Sequence, residues 1–485
     1  MPRIKEGARL NLYEKLAKTI GDQIRQGVLL PGEKIPSTSI RRASQHHKMS
    51  MTTVVHAYSQ LESQGLIESR PQSGYFVRAR AERTAMPALR ANTNKPSPVP
   101  SQVDVSRLVL STLRSIRSHN AIPFGSPYPD PSLFPQRKIN QHIHAAGRQE
   151  AHWGLMNDLP PGNPELIRQI ARRYLQNGLA VDPNEIVITV GATEAINLCL
   201  QAVANPGDTI AVESPTYYAM LHAIERMGMR AVEIATHPRE GMDLDALADV
   251  IRTQRIAACM VMPNFQNPLG FQMPDAKKRD LVALLARHDI PAIENDVYHE
   301  LYYGDAHPSA LKTYDTNGLV LHCASFSKSL TAAYRIGWAM AGRYVSRVEK
   351  LKFLNTLTTP SIPQLAIAAY LQNDGYELHL RRMRRRYAQQ ARIMRAAVLR
   401  FFPRGTQVSQ PAGGYVLWVE LPEAIDSMRL YQSAVASGIT IGPGYMFATG
   451  KRYQNCIRLN YSYLWNRDIE AALMLLGKIA AAQLA

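Results

Sequence analysis

"SFSKSLTAAYRIGW", residues 325–338, places Lys328 just after Ser325 and Ser327, with Arg335 shortly behind it. An apolar run, "LVLHCA" (319–324), leads into this stretch, and a second, "IGWAMA" (336–341), leads out of it. Short apolar runs bounded by small and polar residues read as buried strands. Lys328 therefore lies on a loop at the carboxyl end of a strand. In an open α/β sheet that edge is where ligands bind.

The same pattern repeats upstream. "EIVITV" (185–190), "DTIAVE" (208–213), "AACMVM" (257–262) and "PAIEN" (291–295) read as strands, with helix-length segments between most of them. Strands alternating with helices predict a mostly parallel sheet covered by helices on both faces. Downstream, a long basic helix followed by "YVLWVEL" and "NCIRLNY" predicts a smaller α+β domain.

Each predicted strand end carries a polar or aromatic group. "GATEAI" puts Gly191, Ala192 and Thr193 at a helix start, where free N–H groups and the helix dipole suit a phosphate. "SPTYYAML" puts Tyr217 or Tyr218 at the rim, and "PNFQNPLG" holds Asn267 in a tight turn. Asp296 and Tyr298 follow the fourth strand, and Ser325, Ser327, Lys328 and Arg335 surround the fifth. Singly, each has a plain explanation in packing, turn formation or solvation. Together they make the set that pyridoxal 5'-phosphate (PLP) needs. A lysine amine forms a Schiff base with its aldehyde, and an acid keeps the pyridine nitrogen protonated. A phenol and an amide bind the ring hydroxyl, and an aromatic ring stacks. Hydroxyls, an arginine and a helix N-terminus hold the phosphate. Arg458, in "CIRLNYS", adds a guanidinium for a substrate carboxylate.

The N-terminal part has a different character. Residues 1–118 contain 19 Lys+Arg against 8 Asp+Glu, so +11 of the chain's +17 lies there. Such a balance points to an anionic partner, nucleic acid first. Leu12, Leu16, Ile20 and Ile24 recur every fourth residue and predict a helix face. A short helix is expected over 40–47. "SMTTVVHAYSQLESQG" predicts another helix, capped by Ser50 and stopped at Gly65. "LIESRPQSGYFV" then reads as a hairpin. Helix, helix, turn, helix, hairpin is the order of a winged helix-turn-helix, which sets one helix in the major groove of double-stranded DNA. Ser50, Thr52, Thr53 and His56 begin that helix, and Arg70 and Gly74 belong to the wing. Residues 81–104 are rich in Pro, Ala, Asn and charge, without periodicity, and predict a linker between units 1–80 and 105–485.

Hydrophobic residues make up 46% of the chain and charged residues 20%, as in a globular protein. No apolar run approaches the ~20 residues of a membrane span, and "MPRIKEGARL" lacks the apolar core of a secretion signal. The expected location is the cytoplasm. Cys199, Cys259, Cys323 and Cys456 fit no zinc spacing, and no metal is expected. The arginines of "HLRRMRRRYAQQARIMR" (379–395) read as a solvated helix face, with a second DNA contact as the sharper alternative.

Two resemblances follow from these stretches. "PPGNPELIRQIARRYL", "ITVGATEAI", "ESPTYYAML", "PNFQNPLG", "ENDVYHEL", "SFSKSLTAAYRIGW", "PAGGYVLWVELP", "IGPGYMF" and "IRLNYS" resemble, in order, the motifs of fold-type I aminotransferases. "MTTVVHAYSQLESQGLIESRPQSGYFV" resembles the GntR-type winged helix, and the combination resembles the MocR subfamily of GntR regulators. The resemblance implies that Lys328 is the PLP lysine, Tyr217 the stacking ring, Asn267 and Tyr298 the partners of the ring hydroxyl, and Arg458 the carboxylate arginine. It makes Arg41 a DNA-contacting arginine, and it implies a homodimer. Many relatives place the pyridine acid three residues before the tyrosine, which here is Asn295; Asp296 is two before. Asp296 is the expected partner, because an amide cannot supply the charge.

The reading that follows is an α/β protein. An N-terminal winged helix-turn-helix is joined by a linker to a fold-type I aminotransferase-like domain. Its function is a DNA-binding transcriptional regulator that carries PLP on Lys328 and senses PLP, an amino acid or an amine. The alternatives are a working aminotransferase acting on an amino acid, and a constitutive DNA-binding protein with a relic site.

Overall fold

The computed structural model describes residues 11–25, 29, 33–35, 49–63, 66–70, 74–77, 89, 96–115, 121–149 and 158–484. The chain divides into two units, 1–86 and 87–485.

In the first unit, α1 (Leu12–Arg25) packs on α2 (Met51–Ser63), and β1 (Ile67–Arg70) pairs antiparallel with β2 (Gly74–Val77). Leu16, Ala17 and Ile20 of α1 meet Val54, Ala57, Tyr58 and Leu61 of α2 and Ile67 and Val77 of the hairpin in one core. The four-residue spacing of α1 thus faces the core from Leu16 onward. Leu12, the first helical residue, stays 60% exposed. Lys34 bridges Phe76, and Ile35 N–H donates to Tyr75 O at 3.0 Å, tying the preceding segment to the hairpin. Ser50 caps α2, its Oγ accepting from Thr53 N–H at 3.1 Å. The expected helix over 40–47, and Arg41 with it, lies outside the described residues.

The second unit is built on a nine-stranded sheet. Its strands are β3 (Ser101–Gln102), β4 (Ile186–Val190), β5 (Thr209–Ser214), β6 (Arg230–His237), β7 (Gly241–Met242), β8 (Ala258–Val261), β9 (Ala292–Asn295), β10 (Val320–Ser325) and β11 (Ile336–Met340). The order is β3-β6-β5-β8-β9-β10-β11-β4, with β7 beside β6. β6, β5, β8, β9 and β10 run parallel, β11 is antiparallel to both its neighbours, and β3 closes an edge antiparallel to β6. All six strands expected from apolar runs are present. β3, β6 and β7 were not among them. β3 falls inside the stretch expected to be linker, so the ordered sheet begins before residue 105. A helix, α3 (Ser106–Ser115), follows it.

A second, antiparallel sheet has the order β12 (Gln407–Val408), β13 (Val416–Glu420), β15 (Cys456–Asn460), β14 (Gly442–Pro443). The long basic helix packs beside it over Tyr376–Phe401; Leu380, Met383, Tyr387, Met394 and Val398 are its buried face. Arg381, Arg382, Arg385, Arg386 and Arg392 are exposed on it. No helix among the described residues is long and apolar enough to cross a membrane.

Candidate functional site

The parallel strands bring their carboxyl ends to one edge of the large sheet, and a cavity opens there. Lys328 and Ser327 come from the loop after β10, Asn295 from the last position of β9, and Asn267 from the loop after β8. Tyr217 follows β5, and Ala192 and Thr193 stand in the first turn of the helix Gly191–Val203. Tyr298, Tyr128 and Arg335 complete the polar wall.

Lys328 is buried, and its Nζ donates to Pro127 O at 2.7 Å and lies 4.3 Å over the Tyr128 ring. Burial, with Arg335 and Arg458 adding positive charge nearby, lowers its pKa to about 7. A lysine so placed is partly neutral at physiological pH, and the neutral amine is the nucleophilic form.

Arg335 Nη1 donates to Ser327 Oγ at 3.0 Å. Its own backbone is left-handed, with φ +52, a conformation that costs a non-glycine residue on the order of 1 kcal/mol and marks a constrained position. The guanidinium lies against Gly191, whose φ is +74; a Cβ there would run into it. Gly337 plays the complementary part, since a Cβ on it would meet Ala192 N at 2.7 Å. Two glycines therefore let Arg335 and β11 close on a helix N-terminus, whose first N–H groups lack helical acceptors.

Asn267 is buried with Oδ1 unpartnered. Tyr298 stands in reach of its amide, and burial pushes the phenol up to about 12. Arg458, on β15, is fully buried. Its Nη2 donates to Gly125 O, while Nε and Nη1 have no partner.

Of the expected site residues, Ala192, Thr193, Tyr217, Asn267, Tyr298, Ser327, Lys328 and Arg335 line the cavity. Gly191 stands behind Arg335. Ser325 is not in the wall: it is buried within β10, opposite Gly337. Asp296 is not in the wall either. Both its carboxylate oxygens accept from Asn264 Nδ2, at 3.2 and 3.3 Å, on the side of the sheet where Glu294 meets His322. The physical reason is strand alternation, which puts 294 and 296 on one side and 295 on the other. Asn295 occupies the cavity side. Tyr128 was not foreseen; it comes from "GSPYPDP", which carries no periodic signal.

On the other side of β9, Glu294, Asp296 and His322 present ligand-type atoms within 4.8 Å of one another. Glu294 accepts from Leu311 N–H at 2.7 Å, Lys312 N–H at 3.2 Å and His322 Nδ1 at 2.8 Å, and His322 Nε2 meets Tyr174 OH at 2.8 Å. These atoms are engaged in a hydrogen-bonded network.

In the first unit, Thr52 and His56 are exposed on α2 and Thr53 is half-buried beside them. The His56 ring meets Tyr13 edge-on at 5.7 Å. Ser50 Oγ is 2.7 Å from Thr53 Oγ1 as well as capping the helix. Arg70 pairs with Gly74 across the hairpin, and Gly74 holds φ +98.

Comparison with known proteins agrees with both units. The family described as aminotransferase class I and II matches residues 133–474, and the gntR family of bacterial regulatory proteins matches residues 12–77. The chain is 40% identical over 467 residues to the HTH-type transcriptional regulator YdcR of Escherichia coli (strain K12), covering 96% of this chain and 98% of that one. The chain belongs to the GntR/MocR-type transcriptional regulators. YjiR of the same organism, also an HTH-type transcriptional regulator, is 35% identical to this regulator over 472 residues, with 96% and 98% covered. Among solved structures, the regulator resembles the alpha-aminoadipate aminotransferase LysN of Thermus thermophilus, determined with N-(5'-phosphopyridoxyl)-L-leucine. The TM-score is 0.72 at 27% identity, over 77% of this chain and 95% of that one. The large unit thus has the fold-type I aminotransferase architecture.

Proposed function

We propose that the large unit binds pyridoxal phosphate and an amino compound, and that their binding adjusts how the N-terminal unit holds double-stranded DNA. The observation that carries this reading is Lys328: a buried amine with its pKa lowered to about 7, in a cavity whose wall includes buried polar atoms without protein partners.

The donor set fits the cofactor. Ser327, Arg335 and the N-terminus at Ala192 and Thr193 suit its phosphate. Asn267 and Tyr298 suit the ring hydroxyl, Tyr217 offers an aromatic face, and Lys328 Nζ is the amine for its aldehyde. When bound, the cofactor supplies a carbonyl that condenses with primary amines and a ring that withdraws electrons. Arg458, with two guanidinium nitrogens unpartnered, would orient a carboxylate-bearing amino compound. To engage the cofactor, Lys328 leaves Pro127 O and the Tyr128 ring.

Thr52, Thr53 and His56 share one side of α2 and are the base-reading set, with Arg41 assigned to bases or backbone and Arg70 and Gly74 to phosphate or the minor groove. A homodimer would present two such helices to paired half-sites. For the effector to act, it must bind two arrangements of the chain with different affinity.

The test is an absorbance spectrum of the purified protein with added pyridoxal phosphate, then a titration with amino acids. The expected result is a visible band that shifts with an amino acid and is lost in Lys328→Ala. A band that survives in Lys328→Ala would mean that another amine holds the cofactor. On the DNA side, Thr53→Ala and His56→Ala should weaken specific binding more than binding to random duplex. Specific binding should also fall steeply with salt. Equal losses on both duplexes would refute base reading by α2.

A further inference from the structure

Asn295 is the residue of the cavity that the proposed function leaves unused. It is 1% exposed, lines the same cavity as Lys328, and has neither Oδ1 nor Nδ2 hydrogen-bonded. A buried amide left wholly unpaired costs free energy, and this one faces a cavity in which a ligand would complete its bonding. Pyridoxal phosphate has four polar features: phosphate, aldehyde, ring hydroxyl and ring nitrogen. In the proposed function, on which this inference rests, the first three have partners. The ring nitrogen is the remaining feature and Asn295 the remaining side chain.

Among the described residues, no Asp or Glu lines this cavity; the titratable residues that do are Tyr128, Tyr217, Tyr298, Lys328 and Arg335. Asp296, one residue on, is held on the opposite side by Asn264. A ring proton would therefore be buried without a counter-ion among the described lining residues. Burial without a compensating charge disfavours the protonated form.

We infer that Asn295 donates its amide N–H to an unprotonated ring nitrogen, so that the site binds amino compounds while turning them over poorly. A neutral ring withdraws electrons less than a protonated one, and this slows proton removal from a bound amino acid. Binding through the carbonyl, the phosphate grip and the Arg458 contact do not depend on that proton. The substitution thus separates recognition from turnover, which suits a sensor.

The experiment uses the full-length chain with pyridoxal phosphate labelled with ¹⁵N in the ring. The nitrogen chemical shift is read between pH 6 and 9 in wild type, Asn295→Asp and Asn295→Ala, beside single-turnover conversion of an amino acid to its 2-oxo acid. Wild type should show an unprotonated ring nitrogen throughout. Asn295→Asp should show a protonated one and at least a tenfold faster turnover. Asn295→Ala should stay unprotonated and bind the cofactor roughly tenfold more weakly, the loss of one buried hydrogen bond. A protonated nitrogen in wild type at pH 7, or an Asn295→Asp shift identical to wild type, overturns the inference while leaving the cofactor site intact. Failure of wild type to take up the labelled cofactor overturns both readings. The wild-type shift decides the matter even if a variant does not fold.

Discussion

Two buried polar clusters flank β9, and they differ in how their atoms are used. On one side, Glu294, Asp296, His322, Asn264 and Lys278 form a closed set. Lys278 Nζ donates to Asn264 Oδ1 at 2.9 Å and Ser309 O at 2.7 Å, and Asn264 Nδ2 reaches Asp296 and, at 2.9 Å, Ser309 O. On the other side, Asn295 and Asn267 line the cavity and keep buried polar atoms without a partner; Arg458, on β15 and outside the cavity wall, keeps two. Both clusters hold ionisable groups in low dielectric, and both have displaced pKa values. Burial pushes Glu294 up, but the His322 charge, its hydrogen bond and two backbone donors outweigh burial and hold it below the usual carboxylate range. Charge and burial alone therefore do not separate a site from a scaffold. Satisfaction differs between them: the paired cluster supports the fold, and the proposed function assigns the free atoms of the other, which line a cavity, to a ligand.

The comparison predicts opposite phenotypes on the two sides. Glu294→Ala leaves buried His322 without its counter-charge and two backbone donors without an acceptor. It should cost about 3 kcal/mol of stability or more, read as a lower midpoint in denaturant. Cofactor affinity of the protein that remains folded should be unchanged. Arg458→Ala should do the reverse. Removing a guanidinium with two unpartnered nitrogens should leave the denaturation midpoint near wild type, while affinity for a carboxylate-bearing amino acid falls on the order of thirtyfold, about 2 kcal/mol. A large stability loss in Arg458→Ala would place it in the scaffold.

Lys328 gives the comparison a pH axis. Its folded pKa, about 7, lies below the ordinary lysine value of 10.5. Between these two values the unfolded chain binds the extra proton, so stability should rise with pH from about 7 toward 10.5. Lys328→Met should flatten that rise. The rate of cofactor capture should climb through pH 7 as the neutral amine accumulates. A capture rate independent of pH from 6 to 8 would show that the amine is already neutral or is not the nucleophile.

Much of this was legible in the sequence, because the strands near the site are short apolar runs ending in chemistry. β10 delivers Ser327 and Lys328 where "LVLHCA" implied, and the helix at Gly191 opens where "GATEAI" implied. β6 was missed because Glu233 breaks its apolar run. That carboxylate is buried and accepts from Thr449 N–H at 2.9 Å, a partner more than two hundred residues away that no local pattern reveals. Chemical need favours Asp296 over Asn295, since a charged partner is what a working aminotransferase requires. Period-two alternation runs the other way: it puts 296 with Glu294 and 295 with Cys323, toward Cys199 of the helix that begins at Gly191. The structure puts Asn295, not Asp296, on the cavity side. Tyr128 was out of reach because its position depends on a loop whose Asp130 N–H is held by Ser462 Oγ at 2.9 Å, a contact between distant parts of the chain.

The mildest test uses two residues of the same type, three positions apart. Asn264 is 0% exposed and Asn267 1%. Asn264 bonds Asp296, Lys278 and Ser309, so Asn264→Ala strips partners from a buried lysine and a buried carboxylate and should cost roughly 2 kcal/mol. Asn267 keeps Oδ1 free. Asn267→Ala therefore removes an unsatisfied acceptor rather than a bonded one: its stability should stay within about 0.5 kcal/mol of wild type. Its effect should appear in cofactor affinity, as a roughly tenfold loss. Denaturant melts of the two variants, paired with cofactor titrations, make a direct contrast, because size, burial and chemistry are matched. If both variants lose stability equally and neither loses cofactor affinity, the free acceptor at Asn267 is a packing defect and carries no information about a ligand.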